Sequence, residues 1–65
     1  MTLAERMIQF RAINNLSQSE FGKLCGMNQS YISNIENGSR VPGKIGAKRI
    51  ELVLNGEKIK TKEDN

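Results

Sequence analysis

Helix punctuation recurs along this chain at intervals too short for long elements. Thr2-Leu3-Ala4-Glu5 and Ser17-Gln18-Ser19-Glu20 both fit a capping box, in which a hydroxyl and a carboxylate each accept an orphan backbone N–H. Leu16 before the second box and Phe21 at the fourth helical position have the spacing of a hydrophobic staple, and Met27 and Ile32 repeat that spacing around a cap at Asn28. Stop signals follow each start. Asn14-Asn15, Gly26, Asn37-Gly38 and Gly56 are residues that tolerate the left-handed turn ending a helix. The punctuation predicts helices over 2–14, 18–25, 29–37 and Ile45–Asn55. No run of β-branched or aromatic residues alternates with polar ones, so no strand is expected. The reading is an all-α fold of four short helices.

Periodicity supplies the core. Leu3, Met7 and Phe10 share one face of the first helix, and Phe21, Leu24 and Cys25 one face of the second. Ile32 and Ile35 point inward from the third. The fourth carries Ile45, Ala47, Ile50, Val53 and Leu54. Met7, Phe10, Leu16, Phe21, Leu24, Met27, Ile32, Ile35 and Ile50 are the expected core. Residues 1–56 form one domain, and residues 57–65, polar apart from Ile59, are expected to be a flexible tail.

At 65 residues the chain is one small domain with a small core and no room for a deep cleft. The longest apolar run is three residues, Leu52-Val53-Leu54, far short of the about 20 that a membrane span needs. The N-terminus lacks a basic stretch followed by an apolar block, so no secretory signal is expected. The single cysteine, Cys25, has no partner for an internal disulfide, and with no histidine a structural zinc set is excluded. Cys25 reads as a small inert hydrophobe, and a lone thiol suits a reducing cytoplasm. No nucleophile–base pair, metal set or cofactor motif is visible, so an enzyme is not expected, nor is a small-molecule ligand.

Net charge is +3, and residues 39–62 hold seven of the ten basic side chains: Arg40, Lys44, Lys48, Arg49, Lys58, Lys60 and Lys62. Two acids, Glu51 and Glu57, share that stretch. Such one-sided charge suits a polyanion, nucleic acid first, although solubility accounts for it as well.

The third helix is the informative one. At ~100° per residue, Gln29, Ser30, Ser33, Asn34 and Asn37 fall together opposite Ile32 and Ile35. That outer face holds no charged side chain. Solvated helix faces favour Lys and Glu, which are good helix formers, whereas Ser and Asn are poor ones. Short neutral groups that both donate and accept suit close contact with base edges. Chance composition in a short helix is the competing reading.

The stretch Leu16-Ser-Gln-Ser-Glu-Phe-Gly-Lys-Leu-Cys-Gly-Met-Asn-Gln-Ser-Tyr-Ile-Ser-Asn-Ile-Glu-Asn-Gly38 sets two stapled helices about a glycine turn. It resembles the helix-turn-helix of the phage Cro and phage repressor family, the lambda-repressor-like or xenobiotic-response-element type. Leu16-Ser17-Gln18, Gly26, Tyr31-Ile32-Ser33 and Ile35-Glu36-Asn37-Gly38 carry the likeness. Arg11 and Pro42 extend it to about residues 3–42. Two features depart from the family pattern. Gly22 stands where the family usually has Ala. The family usually has a fifth helix, whereas the residues after Pro42 supply one good helix and a tail.

The resemblance implies that the third helix enters the major groove of double-stranded DNA. Gln29, Ser30, Ser33 and Asn34 then face base edges, joined by Gln18, which in the family bridges DNA backbone and recognition helix. Ser17, Tyr31, Asn37, Arg40 and Lys44 are the implied phosphate contacts. Half-buried packing is an equal reading for Tyr31. Arg11 and Glu36 are the implied structural salt bridge. A homodimer on a palindromic operator is expected, through Ile50, Val53, Leu54 and Ile59. The functional expectation is a Cro-like phage or prophage repressor in the bacterial cytoplasm. The alternative class is an antitoxin-like module whose main task is to hold a protein.

Overall fold

The computed structural model describes residues 1–56, and these fold as four α-helices: α1 (Leu3–Asn14), α2 (Gln18–Cys25), α3 (Gln29–Glu36) and α4 (Lys44–Leu54). The expected 57–65 tail, with Ile59, Lys58, Lys60 and Lys62, lies outside the described residues. So does any fifth helix. No described helix is long and apolar enough to cross a membrane.

Each start and stop has a local cause. The Thr2 hydroxyl accepts from Glu5 N–H at 3.1 Å while the Glu5 carboxylate accepts from Thr2 N–H at 2.8 Å, which completes the first capping box. Ser17 and Glu20 repeat it on α2, at 3.0 and 2.8 Å. Asn28 Oδ1 caps α3 by accepting from Tyr31 N–H at 2.9 Å. The turn from α1 passes through Asn15 in the left-handed region, with φ 56°, as Asn allows. Gly26, φ 74°, turns α2 into α3, and Met27 N–H returns to the Gly22 carbonyl at 2.8 Å. Only α4 starts without a side-chain cap, at Gly43.

Met7, Phe21, Cys25, Ile32, Ile35, Ile50 and Val53 form the buried core, with Leu3, Phe10, Leu16, Met27, Tyr31 and Leu54 packed around it. The Phe10 and Phe21 rings meet at 5.7 Å in a tilted pair that ties α1 to α2. Every helix therefore contributes to one core, and the most extensive pairing is α2 with α3.

Two apolar expectations fail. Leu24 is 40 % exposed rather than buried, because α2 docks through Phe21, Gly22 and Cys25 and turns Leu24 outward. Ile45, an apolar position of the fourth helix left out of the expected core, is 75 % exposed, and α4 faces the core through Ile50 and Val53. Ile50 and Val53, expected at a dimer interface, are buried inside their own chain. Their surface is already used by the core they complete, so they have none to offer a second copy. Leu54 remains half-buried.

Candidate nucleic-acid interface

α2 and α3 set the geometry of the outer surface. Their turn is tight because Gly22 has no side chain. A Cβ there would lie 2.5 Å from the Met27 carbonyl oxygen, a backbone atom that cannot move aside. The departure from Ala at this position thus has a steric reason in this chain.

A hydrogen-bonded cluster then fixes α3 against α1 and α2. Arg11 Nε and a terminal guanidinium nitrogen each donate to Glu36 at 2.8 Å, a bidentate pair, and the other terminal nitrogen donates to the Leu16 carbonyl at 3.2 Å. The amide nitrogen of Gln18 donates to Glu36 at 3.0 Å. The expected Arg11–Glu36 bridge is therefore present and well shielded, with 20 % and 5 % of the two side chains exposed. Burial alone would raise the Glu36 pKa, but the hydrogen bonds from Arg11 and Gln18 outweigh it and hold the carboxyl below its ordinary range. A second, more exposed pair, Arg6–Glu51 at 2.9 Å, ties α1 to α4.

Held this way, α3 presents Gln29, Ser30, Asn34 and Asn37 as exposed side chains, with Ser33 half-exposed among them. Ile32 and Ile35 on its other side are in the core. Asn37 Oδ1 accepts from Ser39 N–H at 2.8 Å, which leaves the amide N–H groups of this exposed side chain to donate elsewhere. Gln18 keeps its side-chain carbonyl and one N–H beyond the Glu36 contact. Ser17 uses its hydroxyl oxygen on Glu20 N–H, so its hydroxyl proton stays available. The Glu20 carboxylate occupies Ser17 N–H, and the N–H groups of Gln18 and Ser19 are what this helix start can offer an anion.

Basic groups border that face. Arg40 and Lys44 are exposed in the segment that follows α3. The Arg40 guanidinium lies over the Tyr31 ring, 5.0 Å from its centroid. Arg40 N–H donates to the Asn34 carbonyl at 3.1 Å, so the loop is tied to α3 itself. The Tyr31 hydroxyl lies against the first turn of α4, beside Gly46. Arg49 serves differently from the other bases. Its guanidinium reaches the end of α2 at Gly26, where a cation meets the negative end of the helix dipole.

Cys25 stays out of all this. It is fully buried, and burial pushes its thiol up to about 11. Among the described residues no group of three His, Cys, Asp or Glu could hold a metal ion.

Sequence alone gave neither the partner of Gln18 on α3 nor a role for Gly46. Gln18 acts as a strut on Glu36, and Gly46 makes room for Tyr31. A glycine in the first turn of an uncapped helix was the only available signal for the second.

Two short helices about a glycine turn, with an uncharged polar face on the second, define the helix-turn-helix class. A helix-turn-helix family model matches residues 7–59. The ImmF control region 10 kDa protein of Bacillus phage phi105 is 38 % identical over 45 residues, which cover 69 % of this chain and 50 % of that relative. The chain thus spans about half the length of the relative. No solved structure gives a significant match. The chain belongs to the helix-turn-helix family, in its phage Cro and phage repressor branch.

Proposed function

We propose that this protein is a sequence-specific DNA-binding regulator, and that it represses transcription by occupying a palindromic operator as a dimer, in the manner of a phage or prophage Cro protein. The observation that carries the reading is the outer face of α3. Its side chains are neutral, short and outward-facing, and a well-shielded ion pair fixes the helix that bears them. In this reading Gln29, Ser30, Ser33 and Asn34 meet base edges in the major groove, and Gln18 braces the helix while reaching the backbone. Phosphates are held by Ser17, Asn37, Arg40 and Lys44, with Tyr31 beside Arg40. The similarity to a phage control-region protein supports regulation in a phage or prophage setting, and a bacterial cytoplasm as the place of action.

Selection of bound sites from random duplex DNA tests this directly. The expected result is a short motif repeated with inverted symmetry, its halves about one helical turn apart or a multiple of that. Recovery of unenriched DNA, with binding governed by salt alone, would reject sequence-specific readout.

A further inference from the structure

Gly46 lies in the first turn of α4, where glycine is among the poorest helix formers and no side chain caps the helix. Local preference does not account for it, but its surroundings do. A Cβ at this position would lie 3.2 Å from the Tyr31 hydroxyl oxygen, 3.3 Å from Met27 Cε and 3.7 Å from Pro42 Cβ. The end of Met27 can swing away. The Tyr31 tip cannot do so without tilting its rigid ring, and that ring carries the Arg40 guanidinium 5.0 Å from its centroid. The same arginine is pinned at its backbone, where its N–H donates to the Asn34 carbonyl.

We propose that Gly46 is a positioning residue for DNA binding: the space it leaves seats the Tyr31 ring, and the ring aims Arg40 at the sugar–phosphate backbone beside the recognition helix. The inference rests on the DNA-binding reading above. Arg40 is exposed, so an unsupported side chain would sample many rotamers and lose that freedom on each encounter with a phosphate. Stacked on Tyr31, it reaches the DNA partly ordered. The Tyr31 contribution then comes from its ring face, with its hydroxyl turned toward α4.

The chain has one tyrosine and no tryptophan, so tyrosine emission reports on this site alone. In the free protein, NMR should show the Arg40 side-chain protons shifted upfield by the ring. Gly46→Leu and Tyr31→Leu should abolish that shift and alter or remove the emission, whereas Tyr31→Phe should keep the shift. Against a selected site and a random-sequence duplex alike, Gly46→Leu and Tyr31→Leu should weaken binding about two- to fivefold, the worth of an exposed cation–π contact. Tyr31→Phe, which keeps the ring face, should bind more tightly than Tyr31→Leu. In an Arg40→Ala background, Gly46→Leu should cause no further loss. Gly46→Ala, the milder change, serves if the leucine variant does not fold, and it should melt higher than wild type yet bind more weakly. Wild-type binding by both Gly46 variants, or losses that add to Arg40→Ala, overturns the positioning role while leaving DNA binding intact. A wild-type protein that shows the upfield Arg40 shift but binds no duplex overturns both readings.

Discussion

The Glu36 carboxylate keeps 5 % of its side-chain surface and accepts hydrogen bonds from Arg11 on α1 and Gln18 on α2. Breaking a buried pair strands its partner, and the general cost is about 3–5 kcal/mol. The pair is part-buried, with Arg11 keeping 20 % of its side-chain surface, so Glu36→Gln should cost about 1–3 kcal/mol, between a surface pair and a fully buried one. For a domain this small, each ~1 kcal/mol moves the melting temperature about 4–8 °C, so thermal denaturation will show the loss plainly. A shift within error would mean that the pair contributes nothing. Acid should act on the same contact. The folded Glu36 pKa lies below its ordinary 4.5, so its contribution is present above the ordinary carboxylate range and is lost as pH falls through the folded value. Glu36→Gln should therefore flatten the fall in melting temperature below about pH 4.5. It should not abolish the fall, because the Thr2 N–H also holds Glu5 below its ordinary value.

α2 and α3 depend on a close approach that helix propensity alone would misjudge. Gly22→Ala should add about 1 kcal/mol of propensity to α2. Yet its Cβ would press on the Met27 carbonyl at 2.5 Å, and Met27 N–H bonds back to residue 22. The net effect should be a lower melting temperature, and an equal or higher one would show that the turn can relax. On α3 the expected effects divide by contact type. Gln29→Ala or Asn34→Ala should lose about 1–3 kcal/mol at particular base pairs and leave random-sequence binding nearly intact. Arg40→Ala should weaken every sequence and reduce the salt slope by about 0.9. Uniform losses in a binding titration from both kinds of variant would count against readout by α3. The caps of α1, α2 and α3 were legible in the sequence because capping is decided within four residues, as Thr2–Glu5 and Ser17–Glu20 show. Leu24, Gly46 and the burial of Val53 were not. The docking direction of a two-turn helix, and the closeness of two backbones, depend on residues far along the chain. The Arg11–Glu36 bridge and the link from Gln18 to the third helix came from family resemblance, and the partner of Gln18, Glu36, from the structure.

For the molecule as a whole, one recognition helix reads only about four or five base pairs, too few to single out an operator among ~10⁶ or more competing sites. Two copies on inverted half-sites meet that need. With Ile50 and Val53 committed to the monomer core, little of the expected interface remains on α4, chiefly half-buried Leu54. Association of the free protein should therefore be weak. Sedimentation should find monomers at low concentration and a two-to-one complex on a palindromic duplex. Equal affinity for a single half-site and for the full palindrome would argue for a monomeric binder. A last consequence follows from which side chains hold α3 in place and which are turned outward. Ile32, Ile35 and Glu36 anchor the helix, whereas Gln29, Ser30 and Asn34 project from it. The two sets share no residue. Under the proposed reading, sequence preference can therefore be rewritten by substitution at the projecting positions alone, with the anchoring set, and with it the fold, left unaltered.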